Sequence, residues 1–417
     1  MHKTGIILFN YGAFGGAVKR YTNLFIHLNK LYPERFYYFT NAYMFNQIKE
    51  IYPELDTSNI FTINKNEKNS YLLENLEDSP RIYRKVYLDP LGTNKNASLP
   101  RKIYWFHKNK LKQFNYYRII DRYRKELGIK VFLGVFSGGL PLVFYLNKKP
   151  HRVSVIFSNM DSWFCDVHQD MKKLWYRKYY SYNYIMENSD IVDFLSPYIL
   201  NGVKEIGLKI NEERISVSPC SFIDYSGCIE GEKKNTEVVF CSRLEPDKNP
   251  MLFLSAAKEI LKKHPSVKFH LLGEGSLVNE IKDFIEANNL LGKVNFGFHK
   301  NPPEVFSKTT IFASLQKSTN YPSQSLLEAM ACGNAVVASD VGDTGLLINE
   351  NNGILVPLEL NKITEAIENL ITHKEFALSL GRRGSSDVRS VHNIDNFTNY
   401  FLGLINKAYS KNFPEEK

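Results

Sequence analysis

The sequence predicts an α/β protein made of two doubly wound, Rossmann-like domains facing each other across a cleft. Three observations predict it. Short apolar runs alternate with helical patterns over nearly the whole chain, and continuous apolar strands separated by helices belong in parallel sheets covered on both faces. At 417 residues the chain is too long for one ordinary core. The polar, glycine-bearing stretch YSGCIEGEKKNTE (225–237) has no periodicity and reads as a linker between two such arrays.

In the first half, strands are expected at Ile6–Asn10, Phe36–Asn41, Val131–Phe136, Ser154–Asn159, Asp190–Ser196 and Arg214–Pro219. In the second half they are expected at Val238–Arg243, Lys268–Gly273, Val294–Phe298, Thr310–Leu315, Ala335–Ser339 and Gly353–Pro357. Between them, segments such as MLFLSAAKEILKKH and SLVNEIKDFIEANN carry apolar residues at helical spacing. The domains expected are 1–224 and 238–393. A last helical pattern, at about 394–410, has no strand after it and is expected to pack back onto the first domain. Open parallel sheets bind ligands beyond the carboxyl ends of their strands, so functional motifs belong just after strands.

Hydrophobic residues make up 43% of the chain and charged residues 23%, the composition of a soluble globular protein. No apolar run approaches bilayer length, and the initial GIILFNYG is strand-sized, without the core or cleavage site of a signal peptide. The five cysteines are scattered without metal-ligand spacing, which fits a reduced, cytoplasmic compartment and no metal. The net charge of +9 is concentrated in two basic-aromatic runs, 101–130 and 172–180. Such runs suit an anionic membrane surface or an acidic acceptor, and equally a solvated helix face. No zinc-finger, RNA-recognition or zipper signature accompanies them, so nucleic acid is not an expected partner.

The segment NYPSQSLLEAMACGNAVVAS (320–339) holds one acid, Glu328, among apolar and small residues. A lone carboxylate is costly to bury; either it lies on an exposed face or something polar meets it. Pro322 and Ser323 to Ser325 mark a helix start and Gly333 a helix end. Glu328 lies three residues after Ser325, so the two share a face. The unpaired N–H groups at the helix mouth, Ser325 and Leu326 among them, suit a phosphate. A phosphate there and a carboxylate about 4–5 Å along the axis match a nucleotide's diphosphate and ribose diol. In VVFCSRLEPDKNP, Arg243 ends a strand and Lys248 follows in the loop, two cations for the same diphosphate. At the amino terminus, ILFNYGAFGGAVKRYTNL reads strand, glycine loop, helix, with Gly15 and Gly16 admitting close approach of a ligand.

RLEPDKNP, LLGEGSL, VNFGF, LLEAMACGNAVVAS and NGILVP occur in the order and spacing of the nucleotide-sugar-dependent glycosyltransferases of family 4. The resemblance covers about Val238 to Pro357. It continues more thinly through YGAFGGAVKRY and SDIVDFLSPYILNGV in the first half. It implies a GT-B architecture, retaining transfer of a hexosyl-type group from a nucleotide-diphosphate sugar, and no cofactor or metal. The acceptor implied is a glycan or lipid-linked molecule of cell-surface polysaccharide synthesis, bound on the 1–224 side. By the match Glu328 holds the ribose, Arg243 and Lys248 the diphosphate, Gly16 a phosphate from the other domain, and Phe298 lies near the base. Gly15 and Gly273 join these donor-binding positions. The family's paired glutamates are spaced E-x7-E, and here Asn320 takes the first place. An amide carries no charge and accepts no proton. Where the family often has a first-domain histidine, the chain offers Asn159, Met160 and Asp161; VGDTGLL has Asp343 and Leu346 where a glycine and a glutamate are common. The residues expected at the reacting centre are therefore Arg243, Lys248, Asn320 and Asp161. With the enzyme stands a second reading, a nucleotide-sugar-binding or scaffold subunit of a glycan-assembly complex, which Asn320 and Met160 motivate. An oxidoreductase fits poorly, since GEGSLV lacks the third glycine and the following ribose-binding acid, and no acid pair suggests a glycosidase. The protein is expected in the cytoplasm, peripheral to the membrane's inner face.

Overall fold

The computed structural model describes residues 2–9, 15–63, 114, 117–135, 140–148, 153–159, 177–205, 207–231 and 236–414. Contacts divide the chain into two units, Met1–Pro219 with Thr398–Lys417, and Cys220–Phe397.

The first unit holds a seven-stranded sheet: β1 (Thr4–Leu8), β2 (Phe36–Thr40), β3 (Ile60–Thr62), β4 (Val131–Val135), β5 (Ser154–Asn159), β6 (Ile191–Phe194) and β7 (Ile215–Val217). Every pairing is parallel and the order is β3-β2-β1-β4-β5-β6-β7. All residues of β1, β2, β4, β5 and β6 are buried, which is why these strands read as mainly apolar runs. The edge strand β3 was not anticipated: its three residues are too few to show either a strand or a helix period. Helices described in this unit include α1 (Gly16–Leu31), α2 (Ala42–Ile51), α3 (Leu140–Lys148), α4 (Arg177–Asn188) and α5 (Pro197–Glu205).

A polar chain crosses this core. Ser158 Oγ donates to Asp193 Oδ2 at 2.6 Å, and Tyr400 donates its hydroxyl proton to Asp193 Oδ1. Tyr21 OH lies 2.6 Å from Ser158 Oγ, and Ser216 Oγ 2.7 Å from Tyr400 OH. Burial pushes the Asp193 carboxyl up to about 7, while the Ser158 and Tyr400 hydrogen bonds act in the opposite direction. Tyr400 lies on the final helix, Ile394–Asn412, so the chain pins that helix to β6 and β7.

The second unit holds β8 (Glu237–Cys241), β9 (Lys268–Leu272), β10 (Val294–Gly297), β11 (Ile311–Ser314), β12 (Ala335–Ser339) and β13 (Gly353–Val356). They are all parallel, in the order β10-β9-β8-β11-β12-β13. Its helices are α6 (Pro250–Lys263), α7 (Val278–Ala287), α8 (Pro303–Phe306), α9 (Gln324–Ala331), α10 (Leu360–Thr372) and α11 (Lys374–Val391); the final helix is α12. In both sheets the order reverses once, between β1 and β4 and between β8 and β11, and such a reversal is where doubly wound sheets take ligands.

The boundary between units falls at 219/220, ahead of the expected linker. The described part of 225–237 belongs to the second unit because it is anchored there. Cys228 is buried in its core, and Arg389 of α11 donates to the Cys228 carbonyl and lies 5.3 Å from the Tyr225 ring centre.

Candidate functional site

The loops leaving β8 and β11 flank the reversal of the second sheet, and with α9 they carry Arg243, Lys248, Asn320, Ser325, Leu326 and Glu328 of the expected site residues. After β8 comes Arg243, exposed, whose guanidinium makes no hydrogen bond or ion pair among the described residues. Glu245 follows. Its carboxylate accepts from Ser276 Oγ at 2.6 Å and from Ser276 N–H at 3.1 Å, and these bonds hold it below the usual carboxylate range. That clasp joins the β8 loop to the glycine loop after β9. The two loops are in close contact: a Cβ on Gly273 would stand 1.9 Å from the Ser242 carbonyl oxygen, and one on Gly275 2.4 Å from that of Leu244. Gly273 also has φ +146°, which L side chains rarely adopt. Its place is fixed by backbone packing.

Lys248 closes a 3₁₀ turn, Pro246–Lys248, with its side chain only 18% exposed. Its Nζ donates to Gln316 Oε1 at 2.6 Å and pairs with Asp247 Oδ2 at 3.0 Å. The lysine is therefore half-sunk and aimed across to the β11 loop. Asn249 Nδ2 donates to the Leu315 carbonyl and Lys317 N–H to that of Asp247, stitching the two loops together.

The β11 loop leads into α9. The Ser323 side chain makes no cap, so the mouth of α9 leaves the backbone N–H groups of Gln324, Ser325 and Leu326 to offer. Leu326 itself is fully buried and can contribute only its backbone. Asn320 is 1% exposed. Its Oδ1 accepts from Ser314 Oγ, and its Nδ2 donates to Ser339 Oγ at 2.9 Å with Ser339 O and Thr344 Oγ1 both at 3.2 Å. The expected role at the reacting centre needs a free amide, and this one is wholly engaged inside the unit.

Glu328 is half-buried on α9. Burial and then the Glu328 charge push the Cys241 thiol, at the end of β8, up to about 12. The same charge adds to the upward shifts of Tyr225, where burial leads, and Cys228, where the hydrogen bond with Cys332 leads. Gln324 Nε2 donates to the Phe222 carbonyl at 3.2 Å. So the α9 face 324–328–332 lies along the segment 222–228, with Glu328 between that segment and the end of β8. The acid is neither at the open surface nor sealed in the core.

Phe298 follows β10 and is 68% exposed, unusual for so large an apolar side chain. In the first unit, Gly15 is the extended cap of α1 and Gly16 its first residue, again with no side-chain cap and again at the sheet's reversal. Asp161 and Met160 lie outside the described residues, as do 101–113, 115–116 and 172–176 of the basic runs. In what is described of the first run, Asp121 pairs with Arg124 at 2.8 Å and Lys125 at 3.2 Å, and Arg122 with Glu126 at 3.8 Å. Among the described residues no helix is long and apolar enough to cross a membrane.

Sequence reasoning missed Gln316, Glu245 and Ser276. Gln316 had a usable signal: a polar residue two positions past a buried strand, on the ligand edge of the sheet. The Glu245–Ser276 clasp spans 31 residues and had none.

The loops after β8, β9, β10 and β11 fall in one matched stretch. Residues 229–387 match the model of the glycosyl transferases group 1 family. Similar curated proteins include the poly(ribitol-phosphate) alpha-N-acetylglucosaminyltransferase of Staphylococcus aureus, 28% identical over 40% of this chain and 34% of that protein. Another is the UDP-Gal:alpha-D-GlcNAc-diphosphoundecaprenol alpha-1,3-galactosyltransferase of Escherichia coli, 31% identical over 34% of this chain and 38% of that protein. The chain thus spans about a third of the length of these two curated relatives. Solved structures similar over nearly the whole chain include Anabaena HepE in complex with UDP, at TM-score 0.67 and 15% identity over 97% of this chain and 99% of that one. Sucrose-phosphate synthase from Thermosynechococcus elongatus gives TM-score 0.72 and 14% identity over 99% of this chain and 100% of that one. The fold is GT-B, as expected.

Proposed function

We propose that the protein is a glycosyltransferase that moves a hexosyl-type group, with retention, from a nucleotide-diphosphate sugar to a glycan or lipid-linked acceptor in cell-surface polysaccharide synthesis. One observation carries the reading. Within the group 1 stretch, a half-sunk Lys248, an exposed Arg243 and the uncapped mouth of α9 all leave the sheet at its order reversal. Breaking the anomeric bond places negative charge on the departing diphosphate, and fixed cations and N–H dipoles aimed there lower the barrier. Arg243 and Lys248 supply that charge without a metal or cofactor. Asp247, 52% exposed, is the partner a diphosphate would displace from Lys248, while Gln316 keeps its hold. Glu328 accepts hydrogen bonds from the ribose hydroxyls, and Phe298 offers a surface for the base. The leaving phosphate oxygen takes the acceptor's proton, so the scheme needs no enzyme base, in keeping with an amide at 320.

Neighbouring structures were solved with UDP and UDP-glucose, which makes uridine diphosphate sugars the first donors to test. The test is nucleotide release from UDP-glucose, UDP-galactose and UDP-N-acetylglucosamine with lipid-linked and glycan acceptors, the product's anomeric coupling being read by NMR. Release with retention is expected. Binding of UDP with no release over the panel would favour the scaffold-subunit reading, and no binding of any nucleoside diphosphate would reject both. Attachment of the basic runs to the inner membrane face is tested by flotation with anionic vesicles at low salt.

A further inference from the structure

We infer that Asn320 is a positioning residue that sets the two arms of the diphosphate site, Lys248 and the mouth of α9. The inference rests on the reading above for what those arms bind. It departs from the role that the E-x7-E pattern suggests for this place, where an acid would meet substrate.

Every polar atom of Asn320 is in use. Its N–H donates to Thr344 Oγ1 at 3.1 Å, and its carbonyl accepts from Ser323 N–H at 2.7 Å. Its Oδ1 accepts from Ser314 Oγ and its Nδ2 donates chiefly to Ser339 Oγ. The Ser323 bond fixes the residue that precedes α9, hence the direction in which the helix mouth points. The Ser339 bond begins a path to the lysine. Ser339 Oγ donates to the Gln316 carbonyl at 2.7 Å, and the Gln316 side chain accepts from Lys248 Nζ. One amide thus stands behind both arms. The partners come from β11, β12 and the turn after β12, so the network also ties together the strands on one side of the order reversal.

The chemistry requires an amide here. Nδ2 lies 3.2 Å from the Ser339 carbonyl oxygen, which only accepts. A carboxylate would set oxygen against oxygen at a site 1% exposed, with no cation among its direct hydrogen-bond partners to meet its charge. Asn320, Ser339 and Thr344 form a matched set in which a glutamate has no place.

The test uses the full chain with ¹⁵N-labelled lysine, reading the Lys248 side-chain ammonium signal, assigned by its loss in Lys248→Arg. Calorimetry with UDP and an NMR titration with uridine complete the readout. Ser339→Ala cuts the path to Gln316 while removing one small hydroxyl; Asn320→Asp removes the N–H donors at constant shape. In both, the ammonium signal is expected to shift or to broaden through faster exchange. UDP affinity is expected to fall about tenfold or more, on the scale of a buried polar group left unpaired, with uridine affinity unchanged. A merely structural role would lower UDP and uridine affinity together, and that outcome overturns the inference. So does an unmoved ammonium signal in folded Ser339→Ala protein. Should the wild type fail to bind UDP, the functional reading falls, and the ammonium signal still decides whether Asn320 positions Lys248.

Discussion

Replacing Lys248 with alanine puts the charge-stabilisation argument at risk. The Lys248 side chain is 18% exposed, its ammonium held at 2.6 Å by a neutral acceptor and at 3.0 Å by an exposed carboxylate. A unit charge about 4 Å from a phosphate oxygen interacts by about 4 kcal/mol at an effective dielectric of about 20. Solvent reaches one side of the site and Asp247 already claims part of the field, so about 2–3 kcal/mol is a fair expectation, or about 30- to 150-fold in kcat/KM. Stability should barely change, since an ion pair with an exposed partner contributes at most about 1 kcal/mol. The assay is nucleotide release from a UDP-sugar under kcat/KM conditions, beside thermal melts of both proteins. A variant that melts like wild type and keeps kcat/KM within about threefold would refute the reasoning, because a half-sunk cation on a diphosphate contributes more than that.

Three further outcomes are expected. Glu328→Gln should weaken UDP binding by calorimetry about 10- to 100-fold, as charge-assisted bonds to two hydroxyls are lost, and wild type should bind 2′,3′-dideoxyuridine diphosphate comparably poorly; equal affinity for the two nucleotides would remove the ribose role. Gly273→Ala should destabilise the second unit by at least about 2 kcal/mol, because a Cβ 1.9 Å from the Ser242 oxygen forces backbone apart; an unchanged urea midpoint would contradict the packing described. Asp193→Asn should flatten the pH dependence of stability. The carboxyl is raised to about 7 by burial among Tyr21, Ser158 and Tyr400, so its contribution is full below the unfolded value near 4 and is lost as pH rises through 7, by about 1.4 kcal/mol per unit. Urea melts across that window should show wild type losing stability against the variant with rising pH, and parallel curves would reject the assignment.

How much of this was legible can be argued from particular residues. The buried parallel strands were readable because a strand covered on both faces has no polar alternation to confuse it, as in β4 and β5. The position of Arg243 and Lys248 just after β8 was readable because the ligand edge of such a sheet follows its strands directly in sequence. Asn320 misled: its spacing to Glu328 suggested substrate contact, yet three hydroxyls from Ser314, Ser339 and Thr344 claim its amide, and no local pattern announces a network closed by tertiary folding. The segment 225–231 misled in the same way, since Arg389, more than 150 residues on, holds down a stretch that looks like a free linker. Asp193 did leave a mark, an acid within the apolar run IVDFL, where burial demands the hydroxyl partners that the structure supplies.

The most direct single measurement is a crystal structure of the protein with UDP. The account predicts phosphate oxygens within ion-pair reach of Lys248 and Arg243 at the mouth of α9, and the ribose hydroxyls on Glu328. A nucleotide bound with its diphosphate clear of both cations, or with its sugar turned away from that acid, would contradict it.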